Sequence, residues 1–161
     1  MSNRPDPADS PGRPARPTRG DYVAWRTVTT RWRDDDAYGH LNNATYYEMF
    51  DTAVNAHLYE ASGVDVRSLP QIGVVAETSC RYFREIGFPA PVETGLVVDR
   101  VGSSSVVYRI GLFQGDGDEA AAEGRFVHVY VDNTDPARRV TPMPDVIRAA
   151  VEPLLRVGGG Q

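Results

Sequence analysis

The sequence predicts an α+β fold in which one long central helix packs against a curved antiparallel sheet of about five strands. Three observations carry that expectation. A segment around residue 50 repeats apolar residues every three or four positions, runs before and after it alternate with period two, and clusters of Gly, Pro and Asp punctuate them.

The first strand is expected from Tyr22 to Arg33, which is rich in Val, Thr, Trp and Tyr. In "NNATYYEMFDTAVNAHLYEAS", Tyr46, Phe50, Ala53 and His57 share a face, with Tyr47, Val54 and Leu58 beside them, as an amphipathic helix requires. Asn42 or Asn43 is placed to cap its start and Gly63 to end it. Four period-two runs follow, beginning near Gln71, Val92, Ser103 and Glu119 and parted by "GFPAP", "VGSS" and "GDGD". Pro136 marks the end of the last one, and a short helix is expected between Pro144 and Pro153. Residues 1–20, with five prolines and almost nothing to bury, read as a disordered tail, 21–156 as a single domain, and 157–161 as a flexible tail. A lone helix on a broad sheet leaves edges and apolar surface uncovered, so a symmetric homo-oligomer is expected.

Charge narrows the partners. The net charge is -5, and residues 1–20 hold four Arg and two Asp, so the remainder carries 13 Arg against 20 acids. An acidic domain without a basic stripe argues against nucleic acid, where cations must neutralise phosphates. All 17 basic residues are Arg, which excludes a lysine Schiff base or a P-loop lysine. Cys80 is alone, so no intrachain disulfide or Cys-rich metal site is expected, and three scattered histidines give no zinc spacing. No apolar run is long enough to span a bilayer and no signal peptide is recognised, so no membrane association and a cytoplasmic location are expected.

The chemistry concentrates at "RWRDDDAYGHLNNATYYEMF", residues 31–50. The first N–H groups of a helix lack carbonyl partners and the helix dipole adds positive charge there, so the start of the helix stabilises an oxyanion. Gly39 lets a ligand or another backbone approach closely, and Asp36 lies where the chain turns toward the helix. A carboxylate and an oxyanion-binding helix end facing one carbon suit thioester hydrolysis, because a thiolate departs without an acid donor. Water activated by the carboxylate, or the carboxylate itself, is the attacking group.

The stretch "DDDAYGHLNNATYYEMFDTA", with Asp36, Gly39, His40, Asn42, Asn43 and Tyr46 as key elements, resembles the signature of the hotdog-fold acyl-CoA thioesterases of the 4-hydroxybenzoyl-CoA thioesterase-like family. The similarity extends in element order over residues 22–145, with "RYFREIGFPAPVETG" and "VGSSSVVYRI" as later, less specific matches. The "GHLNN" form resembles the broader acyl-CoA hydrolase branch, so the 4-hydroxybenzoyl substrate is not carried over with the mechanism. The resemblance implies a hotdog fold, a homodimer or homotetramer whose sheets join edge to edge, and active sites at the subunit boundary. It also implies Asp36 as catalytic carboxylate and the Asn43 N–H as the donor polarising the thioester carbonyl. Coenzyme A enters as part of an acyl-CoA substrate, and no cofactor is implied.

Plainer readings stand beside these. Asp34 and Asp35 are structural or solvent-facing by default. His40 is a candidate for proton transfer or substrate hydrogen bonding, with loop support as its ordinary role. Asn42 and Asn43 are helix caps as side chains, which is compatible with a backbone role for Asn43. Tyr46 and Tyr47 are core or interface aromatics, one of which is a candidate wall for the acyl group. His57 and His128 read as structural, and Cys80 as a small buried side chain. Arg81, Arg84, Arg100 and Arg109 are candidates to ring the mouth of a site for coenzyme A phosphates. Two other readings keep the site and change the function: an acyl-thioester hydratase or dehydratase pairing His40 with Asp36, and a non-catalytic acyl-CoA-binding module.

Overall fold

The computed structural model describes residues 15–156. Most of the expected N-terminal tail and all of the C-terminal one lie outside the described residues. Within them, β1 (Ala24–Val28), β2 (Gln71–Tyr82), β3 (Val92–Val101), β4 (Ser105–Phe113) and β5 (Ala122–Asp132) form one antiparallel sheet in the order β1-β3-β4-β5-β2. Helix α1 (Asn43–Ser62) lies against one face, and α2 (Asp145–Val151) packs beside it. This is the expected α+β architecture, a hotdog fold with its long helix wrapped by five strands. Among the described residues no helix is long and apolar enough to cross a membrane.

Helix α1 starts where Asn42 places it: the Asn42 side-chain oxygen accepts from the Ala44 N–H (2.9 Å). It ends at Gly63, whose φ of 70° is the left-handed conformation that closes helices. Its inward face buries Tyr46, Met49, Phe50, Ala53, Val54 and Leu58 against Leu96, Tyr108, Ile110, Leu112 and Phe126 of the sheet. The helix comes this close because β5 has a glycine beneath it: a Cβ on Gly124 would sit 2.5 Å from Cε2 of Phe50. His57, expected on this face, is half-buried, and its Nε2 lies 3.0 Å from the Ala150 carbonyl of α2.

Two boundaries differ from expectation. The first strand stops at Val28 rather than Arg33, because Asp34 accepts from the Arg31 N–H (2.7 Å) and curls Trp32–Asp34 into one 3-10 turn. A side chain competing for its own backbone in this way is not visible to strand propensity. Pro17 to Gly20, expected in the tail, instead run beside the β4–β5 connection. The Arg19 N–H donates to the Asp118 carbonyl, the Ala120 N–H donates to the Pro17 carbonyl (2.8 Å), and the Arg19 guanidinium meets Glu93.

His128 of β5 sits in the core among the rings of Tyr108, Phe126 and Tyr130. Burial pushes its pKa from 6.5 down to about 4. The unfolded chain therefore binds a proton that the folded one resists, and stability falls as pH drops from 6.5 toward 4. Over that window the protein is expected to lose about 3 kcal/mol more than His128→Phe, measured by urea unfolding at each pH. Parallel curves for the two proteins would contradict the burial. Gly124→Ala is expected to cost about 1–3 kcal/mol by overpacking. Phe50→Leu in the same chain should recover part of that loss, and an unchanged unfolding midpoint in Gly124→Ala would show that Phe50 does not seat the helix there.

Candidate active site

The three consecutive aspartates do three different things. Asp34 is 4% exposed and accepts from the Arg31 N–H and guanidinium (2.7 to 3.3 Å). Those bonds hold its carboxyl below the usual carboxylate range against the opposing effect of burial. Asp35 reaches the β2–β3 connection, where its Oδ1 accepts from the Phe88 N–H (3.1 Å). Asp36 closes its own turn: Oδ1 accepts from the Tyr38 N–H (2.8 Å) and, at 3.4 Å, from the His40 N–H. The Asp36 N–H donates to the His40 carbonyl (2.8 Å), and Gly39, at φ 80°, supplies the left-handed residue the turn requires. Its other oxygen, Oδ2, carries no hydrogen bond among the described residues.

The helix start is tied to the same turn. The Asp34 carbonyl accepts from the Asn42 N–H (2.8 Å) and from the Thr45 hydroxyl (3.3 Å). The Thr45 and Ala44 N–H groups are taken by Asn42, through its carbonyl and side chain respectively. No acceptor among the described residues meets the Asn43 N–H. The Asn43 side chain is not a cap, as its residue type suggested, because its oxygen accepts from the Tyr82 hydroxyl and so joins the start of α1 to the end of β2.

These groups open on a cleft of about 410 Å³ lined by Asp36, His40, Leu41, Asn43, Tyr46, Tyr82, Phe83, Arg84 and Glu85. The structure thus brings together Asp36, His40, Asn43 and Tyr46 of the expected residues. Gly39 and Asn42 are exposed and do not line the cleft, the one shaping the turn and the other capping the helix, and Tyr47 packs edge-on against Phe50 at 5.7 Å. Tyr82, Phe83 and Glu85 were not singled out from sequence. Their one local signal is "YF" in "RYFRE", two adjacent bulky aromatics that break the period-two pattern where β2 ends.

His40 is held by Glu85, with Nε2 3.0 Å from its carboxylate. The described contacts therefore place its imidazole on Glu85 and not on the Asp36 carboxylate, the pairing a hydratase reading invokes. Tyr46 meets Tyr82 edge to face at 5.0 Å, and burial pushes the Tyr46 phenol up to about 12, so it stays a neutral wall. Burial also raises Cys80 to about 11, leaving a thiol rather than a nucleophilic thiolate. Of the four arginines considered for phosphate binding, only Arg84 lines the cleft. Arg81 and Arg109 are engaged by Glu123 and Asp99 on the other side of the sheet, and Arg100 is exposed on β3. Among the described residues no group of three His, Cys, Asp or Glu side chains is gathered as metal ligands would be.

A family model described as the thioesterase-like superfamily matches residues 30–151. No curated protein sequence matches the chain significantly. Among solved structures, the PA5185 protein of Pseudomonas aeruginosa is 44% identical, with 91% of this chain and 100% of that one covered and a TM-score of 0.83. PA2801 of the same organism, a candidate thioesterase, is 32% identical over 80% of this chain and 98% of that one, with a TM-score of 0.71. The Staphylococcus aureus protein SAV2348, solved in complex with CoA, is 18% identical over 78% and 79% of the two chains and shares the fold at a TM-score of 0.70.

The junction makes its own prediction. Asp34→Ala removes the acceptor of Arg31 and is expected to destabilise the chain by about 1–3 kcal/mol, with faster amide exchange at residues 42, 44 and 45. Wild-type stability and exchange would show that the Asp34 side chain, through Arg31, does not steady the carbonyl that holds the helix start.

Proposed function

The chain belongs to the thioesterase-like superfamily, and on that premise we propose that it hydrolyses acyl-CoA to the free acid and coenzyme A, with Asp36 and the Asn43 N–H as its reacting machinery. One observation carries this reading: the unpaired oxygen of Asp36 and the unpaired amide opening α1 belong to the same cleft.

The thioester carbonyl oxygen accepts from the Asn43 N–H, where the helix dipole also favours negative charge. Asp36 takes a proton from water as the water oxygen bonds to the carbonyl carbon. The charge gathered on the carbonyl oxygen then returns, the C–S bond breaks, and the thiolate leaves and takes up a proton. Attack by the Asp36 carboxylate itself, giving an anhydride that water opens, uses the same groups; single turnover in ¹⁸O-water distinguishes them by label entering Asp36. Tyr46, Tyr82 and Phe83 give the cleft apolar walls, and Arg84, which lines the cleft while its guanidinium donates to the Gln114 carbonyl, is the proposed cation for a coenzyme A phosphate. His40, fixed by Glu85, supports the turn that presents Asp36.

The reading also takes the chain as a homodimer joined along β2. That strand is an edge of twelve residues that pairs on its outer side with no strand among the described residues, and Val75 is exposed on it.

Asp36→Asn is expected to fold with wild-type stability and to lose about a hundredfold or more in kcat/KM, measured by thiol release over a panel of acyl-CoA esters. Near-normal turnover in the folded variant would remove the mechanism, and binding of the esters without thiol release by the wild type would remove the hydrolase.

A further inference from the structure

A second cavity, of about 200 Å³, lies between the far half of α1, the start of β2, β5 and α2, lined by Leu58, Ile72, Gly73, His128, Tyr130 and Ile147 among others. The hydrolase reading already sets each active site at the boundary of two copies; on it, we propose that this cavity of one copy receives the acyl group cleaved at the Asp36 of the other, and that it selects a compact acyl group bearing a hydroxyl near its far end. The proposal rests on the hydrolase reading above.

Polarity defines the ligand. His128 is 2% exposed, and its Nδ1 is buried with no hydrogen-bond partner among the described residues; the neighbouring Tyr108 hydroxyl is in the same condition. Buried polar groups are rarely left unpaired, and one that lines a cavity marks where a ligand's polar group completes the pairing. Gly73 keeps the space before that nitrogen open, since a Cβ there would come within 3.0 Å of Nδ1. A neutral imidazole has one N–H and one lone pair, and a hydroxyl satisfies either because it both donates and accepts. A carboxylate fits poorly: Arg67, the nearby cation in the lining, is already paired with Asp65 at 3.0 Å. At about 30 Å³ per water-sized group, the cavity holds about seven non-hydrogen atoms.

Distance defines which copy is served. Asn43 and Leu58 are about 22 Å apart along α1, and Gly73 and Tyr82 about 30 Å apart along β2. A compact acyl group held by the Asn43 amide therefore does not reach the cavity of its own chain. No strand among the described residues covers the β2 edge, and its bulge between Val75 and Glu77 lies at the strand's midpoint. Antiparallel pairing of two copies about that midpoint sets Tyr82, at the cleft, opposite Gln71 of the partner subunit, at the cavity.

Three measurements test this. In thiol-release assays, wild-type kcat/KM for 6-hydroxyhexanoyl-CoA is expected to exceed that for hexanoyl-CoA about tenfold or more, and His128→Phe to abolish the difference; equal ratios in the two proteins overturn the role of His128. Asn55→Trp fills the cavity from α1, and Gly73→Val replaces it should the first variant not fold. Mixed dimers with Asp36→Asn in one chain and the filling substitution in the other retain one intact pairing of Asp36 with a partner cavity. They are expected to recover about half of wild-type activity while both parent dimers stay low; no recovery, or a filled variant with wild-type kinetics, overturns the assignment. If the wild type cleaves no acyl-CoA, the hydrolase reading fails by itself. The cavity is then judged by whether free 6-hydroxyhexanoate, but not hexanoate, raises the melting temperature of the wild type and not of His128→Phe; no such shift overturns it.

Discussion

The peptide carbonyl of Asp34 fixes where the long helix begins. It accepts from the Asn42 backbone and the Thr45 hydroxyl, while the side chain of the same residue is locked by Arg31. A strand and a helix joined by a flexible loop would leave a carboxylate and a helix end to wander relative to each other. Here six residues separate Asp36 from the first helical amide, yet the backbone bond from Asp36 to the His40 carbonyl and the Leu41 N–H bond to the Ile86 carbonyl leave the turn little freedom. Positioning of this kind matters to catalysis because a misplacement of an ångström at the reacting atoms costs large factors in rate.

The sheet contributes rigidity from its other side. Glu123, 6% exposed on β5, receives the Tyr22 hydroxyl (2.5 Å), Arg81 (2.8 Å) and Arg109 (3.3 Å), and Arg109 in turn grips Asp99. Burial and the neighbouring Glu123 hold the Tyr22 phenol far above its usual range, so it remains a donor. The network binds Tyr22, just ahead of β1, to β2, β3, β4 and β5, and it occupies two of the arginines that the sequence offers for phosphate. The Glu123 side chain is thereby committed to structure, whereas the proposed chemistry lies at the rim where β2 ends and α1 begins.

A single chain holds a reactive rim at one end of β2 and a polar-centred cavity at the other. Strand geometry keeps them about 30 Å apart, and an edge that no strand among the described residues covers runs between them. On the proposed reading, that separation is the physical reason for the site to be shared between copies: the chain's own length keeps the two from meeting within one copy.

Much was legible in the residues themselves. The 3.6-residue repeat of α1, its Asn42 and Gly63 ends, the four later strands and the concentration of turn chemistry at residues 34–43 are all local properties, set by the sterics and hydrogen-bonding capacity of neighbouring side chains. The family resemblance in "DDDAYGHLNNATYYEMF" also belongs to that stretch, as does the nomination of Asp36 and Asn43. The division of labour among three adjacent aspartates was not legible, because Asp34 is distinguished by Arg31 and burial, and Asp35 by a loop fifty residues away. The same holds for Glu85 on His40, Tyr82 on Asn43 and Gly124 under Phe50. Sequence alone determined which elements form and where ionisable groups accumulate, since those depend on neighbours along the chain; tertiary structure decided which groups are buried, paired or left open, since burial and pairing depend on neighbours in space.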